Sequence, residues 1–260
     1  MVEIAALLTD LADEGRELDT LVADLPTVRW AAPTPAPRWT IAHQIAHLAW
    51  TDDLAYEAVT DPAGLGARIA GVDVTAWVDA GAAEGASADP AELLARWRTG
   101  RVRLASALAT VPAGVRLPWV GTRMSAASMA TGRLMETWAH GQDVADTLGH
   151  TCTPTSRLRH VARIGVRARD HTFVVRGLPV PRDEFRVELT APDGELWTFG
   201  PADAAQRVAG PALDWCLVAT QRRHPDDTAL VATGAEATTW LRIAQAFAGP
   251  PGAGRPPRRA

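Results

Sequence analysis

The 260-residue chain contains no lysine and no asparagine, so all 26 of its cationic side chains are arginine. With its abundant alanine, this is the residue usage of a genome rich in G and C. Cysteine is nearly missing too. The two present, Cys152 and Cys216, lie far apart without a CxxC spacing, which fits a reduced compartment and reads each as a small buried apolar side chain rather than a ligand. A basic excess is absent: the formal charge is −4 and the pI about 6.0. That balance excludes a general nucleic-acid binder, which needs a basic surface to meet phosphate. No window reaches the roughly eighteen uninterrupted apolar residues of a membrane span. Residues 1–9 show no positive n-region followed by an apolar run. These absences lead to the expectation of a soluble, cytoplasmic protein, a monomer or homodimer, whose partners are small molecules rather than nucleic acid or membrane.

What is present is apolar residue in quantity, 47 % of a chain long enough for two cores. Residues 3–25 carry Ile4, Leu7, Leu8, Leu11, Leu18, Leu21 and Val22 at helical spacing, and the pattern stops before Pro26. After a proline-rich loop, Thr40 is placed to cap a second helix reaching about Val59. A glycine-containing helical pattern covers 64–82, and another starts at Ser87 to Pro90 and runs to Pro112. The segment PAGVRLPWVGTRMS reads as a loop, and Ser125 or Ser128 opens a last helix ending at Gly149. Helices joined this closely form most simply an antiparallel bundle over residues 1–150. Beyond it the pattern changes. A helix at 155–170, a hairpin FRVELTAP and ELWTFG turning at Asp193 and Gly194, a helix at 211–223, a strand TALVAT and a helix at 235–248 describe a smaller α+β domain over 151–250. Residues 251–260 have the composition of a disordered tail.

Three residues carry the chemistry. Glu136 and His140, in METWAHGQD, are four apart on the last bundle helix, so both side chains leave one face a turn apart and can share one metal ion. His47 lies on the second helix, in WTIAHQIAHLAWTD. Pairing it with the other two makes a two-His-one-carboxylate site spanning two helices. An unpaired carboxylate on a mostly apolar helix would be costly, which favours a partner for Glu136. His43, one turn before His47, is read as a pocket residue, with a fourth-ligand role left open. Asp143 shares the face of Glu136 and His140 and is placed to orient a ligand histidine through its ring N–H. Trp119, in the loop before the Glu136 helix, is expected to line a substrate pocket. Asp52 and Asp53 read as capping or solvated charge, and Arg159, Arg163 and Arg167 as a solvated helix stripe.

WTIAHQIAHLAW followed by METWAHGQDVADTLG resembles the DinB-like metal-binding bundle of the mycothiol-dependent maleylpyruvate isomerase group. VAGPALDWCLVATQRRHPDDTALVATGAEATTWLRIAQAFAG resembles the smaller α+β domain of those proteins, which is similar to a sterol-carrier-protein fold. The resemblance implies Zn2+ held by His47, Glu136 and His140. It implies a low-molecular-weight thiol such as mycothiol as cosubstrate, for S-transfer to, or isomerisation of, a small electrophile. The segment around His47, with its extra His43, is closer to uncharacterised metal-binding members than to the isomerase, so the substrate does not carry over. Two other readings use the same residues. In one, a closed metal stabilises a small-molecule binding module without catalysis. In the other the triad holds non-haem Fe(II), although such triads usually sit on a β-barrel.

Overall fold

The computed structural model describes residues 4–258; residues 1–3 and 259–260, the outermost parts of the expected bundle and tail, lie outside the described residues. The chain divides between Cys152 and Thr153 into two units.

The first unit is built on four long helices, α1 (Ile4–Val22), α2 (Ile41–Thr60), α5 (Pro90–Ala109) and α6 (Ala126–Leu148). Two shorter helices, α3 (Pro62–Ile69) and α4 (Val74–Ala86), lie between α2 and α5 in sequence. α2 is the central element, packed on α4, α5 and α6, while α1 closes on α5 and α6. That position explains its sequence. It is almost without an exposed face, and its alanines let neighbours come close: a Cβ added to Gly85 of α4 would lie 2.9 Å from the Ala46 Cβ. The core between these helices contains Leu18, Val22, Ile41, Ile45, Leu48, Leu93, Trp97 and Val144, all buried. Each such side chain contributes roughly 1.5–3 kcal/mol by leaving water.

Local signals set the helix starts. Asp61, Asp73, Asp89 and Ser125 each accept a hydrogen bond from a first-turn backbone N–H, and Pro62 and Pro90 occupy first positions where no N–H is needed. Gly149, in the left-handed region at φ 68°, ends α6. Two expectations are refined. The single helix expected at 64–82 is two, interrupted at Gly71 (φ 71°) and restarted by the Asp73 cap. The loop before α6 contains a small hairpin, β1 (Leu117–Trp119) and β2 (Thr122–Met124), paired antiparallel around Gly121 at φ 68°.

The second unit opens with α7 (Leu158–Arg167) and α8 (Arg169–Val175), where one helix was expected. A four-stranded sheet follows in the order β4, β3, β5, β6, comprising β3 (Arg186–Thr190), β4 (Leu196–Phe199), β5 (Arg207–Pro211) and β6 (Val231–Thr233). The expected hairpin is β3 and β4, with Val187 opposite Phe199 and Leu189 opposite Trp197. β5 was not foreseen. It is short, carries Gly210, and joins β3 in parallel, a pairing that no tight turn announces. α9 (Ala212–Ala219) and α10 (Ala235–Ile243) complete the α+β fold, with Trp215 and Trp240 buried beside each other at 4.7 Å between ring centroids. The described tail, 249–258, has no regular secondary structure; the Gly252 carbonyl accepts from Arg176, and the Arg258 N–H donates to Asp227. No described helix is long and apolar enough to cross a membrane.

Candidate metal centre

α2 and α6 pack against each other with His47 facing Glu136 and His140. One ligand atom from each of the three lies within 4.8 Å of the others. Glu136 Oε2 is 3.2 Å from His47 Nε2 and 3.2 Å from His140 Nε2, and the imidazole centroids are 4.5 Å apart. Glu136 and His140 are neighbours because helical rise puts residues four apart on one face. The joining of His47 to them is tertiary.

The electrostatics suit a metal ligand set. Burial pushes the His47 imidazole down to about 4; His140 adds to that shift and Glu136 opposes it. Burial alone would raise Glu136, but hydrogen bonds with His140 and His47 outweigh it and hold the carboxyl well below its usual range. The site therefore offers a carboxylate and a neutral His47 near neutral pH. His140 Nδ1 lies 2.5 Å from Gln44 Oε1, an oxygen that can only accept, so Nδ1 carries the proton. In a neutral ring that arrangement turns the Nε2 lone pair toward the Glu136 oxygen. Glu136 Oε2 meets that nitrogen through an N–H when the ring carries both protons, and a divalent ion can take the place of that proton when it does not. Imidazole nitrogens and one carboxylate are donors suited to zinc. The side chains of His47 and His140 are only 7 % and 11 % exposed, while Glu136 is 24 % exposed, so access to the cluster is by the Glu136 side.

The ring against the donors is Trp39, its centroid 5.3 Å from that of His47 and 5.8 Å from that of His140, stacked on the latter at 19°. Its Nε1–H donates to Asp79 at 3.2 Å, which ties the ring to α4. Trp119, the expected pocket aromatic, lies half-buried at the end of β1. His43 is at the start of α2, where its Nδ1 stands 2.8 Å from Thr40 Oγ1 and accepts from the Thr40 N–H at 3.3 Å. It takes the place that a Glu takes in a capping box. It is not one of the three converging donors. Asp143 is buried on α6, and the hydrogen-bond partner of the His140 Nδ1 is Gln44.

Several residues of the site carry no conspicuous sequence signal. Gln44 sits three before His47, on the same helical face, and a glutamine on a buried face was the available clue. Asp52, read as capping or solvated charge, is instead buried and accepts from Arg133 Nε at 2.8 Å, in a pair whose side chains are 5 % and 3 % exposed. Burial raises the Asp52 carboxyl, with Arg133 opposing. Asp53 does stay near solvent, shared by Arg96 and Arg103.

This arrangement has relatives among known proteins. A family model described as the mycothiol maleylpyruvate isomerase N-terminal domain matches residues 11–145, and one described as wyosine base formation matches residues 181–233. Proteins of two strains of Mycobacterium tuberculosis, both described as uncharacterized, are 54 % identical over 257 residues, 98 % of this chain and 100 % of theirs. Crystal structures of the mycothiol-dependent maleylpyruvate isomerase and of a histidine-to-alanine variant superpose with TM-scores of 0.64 and 0.63 at 16 % identity. Each covers 89 % of this chain and 93 % of the other. At that identity the likeness is one of fold.

Proposed function

The chain belongs to the family of the mycothiol maleylpyruvate isomerase N-terminal domain, and on that premise we propose that it is a zinc-dependent enzyme acting with a low-molecular-weight thiol. The thiol, mycothiol or a close analogue, would be transferred to a small electrophile or would assist its isomerisation. The observation that carries this reading is the convergence of His47, Glu136 and His140 within 4.8 Å. Three protein ligands are the number that leaves a tetrahedral ion one open position. Zinc held there would lower the pKa of a coordinated thiol, so that a thiolate forms near neutral pH and can attack an electrophilic carbon.

The protein's own part is to hold and shield. His47 remains neutral through burial and presents Nε2, and Glu136 supplies the single negative charge of the set. Keeping the ligand charge to one carboxylate leaves a divalent ion a net positive charge with which to stabilise a thiolate. Trp39 forms an apolar wall across both imidazoles, which keeps water from that side. The more exposed Glu136 side is where small reactants can approach.

The test is zinc analysis of the purified full chain followed by calorimetry with mycothiol. One zinc per chain, with thiol binding only to the zinc-loaded form, is the expected result. Stoichiometric zinc without any thiol binding overturns the proposal.

A further inference from the structure

We propose that Gln44 is a positioning residue for the metal centre: a polar relay running from the Trp39 carbonyl through Thr34 and Gln44 fixes which nitrogen of His140 is free to ligate. The inference rests on the reading of His47, Glu136 and His140 as a metal site, and concerns how that site is prepared.

The relay has a direction because its first member has no choice. The Trp39 carbonyl can only accept, and it receives both the Thr34 backbone N–H at 2.8 Å and the Thr34 hydroxyl at 2.9 Å. The Thr34 hydroxyl has one hydrogen, and it is committed. Its oxygen is therefore the acceptor toward Gln44, whose Nε2 lies 2.9 Å away. With its NH2 on Thr34, Gln44 turns its oxygen to His140 Nδ1 at 2.5 Å. Nδ1 must then hold a proton, so that in the neutral ring it is Nε2, the nitrogen facing Glu136, that carries the lone pair. Turning the amide over would place its NH2 on Nδ1 and its oxygen on Thr34, which has no second hydrogen to offer. Nε2 would then carry the proton of a neutral ring and could not ligate.

The setting gives the relay consequence. Gln44 has 0 % exposure, so no solvent is at hand to replace a lost partner. The segment carrying Trp39 and Thr34 is closed on itself by the bridge between Pro33 and Thr40 and by the bond from the Ile41 N–H to the Ala32 carbonyl, which holds the relay's origin in place. The two histidines are treated unequally: among the described residues the buried Nδ1 of His47 has no hydrogen-bond partner, whereas that of His140 has this one. Partners of a ligand's second nitrogen set ring orientation and donor strength, and their loss typically weakens metal binding about 10–100-fold.

The experiment uses the full chain with two readouts. In protein stripped of metal and labelled with 15N at histidine, long-range 1H–15N spectra report whether His140 Nδ1 is protonated. Zinc affinity is read by competition with a chromogenic chelator, with circular dichroism to check the helices. The expected results are a protonated Nδ1 in the unaltered chain and a gain of unprotonated Nδ1 in Thr34→Val. Zinc affinity should fall about 10–100-fold in Gln44→Leu. An unprotonated Nδ1 in the unaltered chain overturns the proposal. So does zinc binding by Gln44→Leu within about threefold of the unaltered chain. If the unaltered chain fails to bind zinc, the metal reading falls, and the spectrum of the metal-free protein alone then decides whether Gln44 sets the His140 proton.

Discussion

The buried imidazole of His47 makes the metal-free protein sensitive to acid in a way that can be calculated. Its pKa is about 4 in the folded chain, against 6.5 for an unperturbed histidine. The folded state thus excludes a proton that the unfolded chain takes up, so stability must fall as the pH drops through 6.5 and level off below about 4. A full shift of this size corresponds to about 3 kcal/mol, and between pH 7.5 and 4.5 roughly 2–3 kcal/mol of it is expressed. The window isolates the histidine. Glu136 is also depressed, but its contribution is present above the unfolded carboxyl value and is lost only as the pH falls below it. His43 shifts in the same direction as His47, and Asp52 in the opposite sense for stability, because a raised carboxyl favours the acid side. The His43 contribution cancels when the unaltered chain is compared with His47→Gln, and that of Asp52 cancels apart from the small part that the charge of His47 causes. Urea unfolding of the chelator-treated proteins, followed by circular dichroism at pH 7.5 and 4.5, should show the unaltered chain losing roughly 2–3 kcal/mol more than the variant. An NMR titration of the His47 ring should find its midpoint near 4. Parallel losses in the two proteins, or a ring midpoint near 6.5, would refute the reasoning.

Other perturbations reach other parts of the fold. His47→Ala and His140→Ala should each abolish stoichiometric zinc with helical content largely kept; full metal in either variant would remove that residue from the ligand set. Zinc at about a hundred times its dissociation constant should stabilise the chain by roughly 3 kcal/mol over the chelated form, and an unchanged melting temperature would argue against a specific site. Arg133→Leu or Asp52→Leu leaves a buried charge without its partner and should cost roughly 3–5 kcal/mol. The double variant should recover much of that loss, whereas simple addition of the two costs in thermal unfolding would show the pair to be uncoupled. Gly200 lies at φ 75°, and a Cβ there would stand 2.0 Å from the Phe185 carbonyl oxygen, so Gly200→Ala should destabilise the second unit by at least about 2 kcal/mol. A chain that melts as before would show that this turn can move aside.

The parts of the molecule that follow from short-range rules are those legible in the amino-acid order alone. Helical spacing of apolar residues, the Thr40 and Ser125 cap positions and terminal glycine and proline mark α1, α2, α5 and α6, and the four-residue interval alone makes Glu136 and His140 neighbours. The β3–β4 hairpin is equally local, with Asp193 and Gly194 at its turn. Tertiary packing decided the rest. His47 meets Glu136 across 89 residues of chain, and Gln44 meets His140 across 96, because α2 and α6 cross in one register, which no local pattern specifies. The same packing put Trp39 against the imidazoles, buried Asp52 on Arg133, and brought β5 beside β3 in parallel. Residue type and spacing were enough to say which side chains could bind a metal. Only the packing of one helix on another settles which polar groups lie behind those ligands, since a buried hydrogen bond depends on distances of a few tenths of an ångström between segments far apart in sequence.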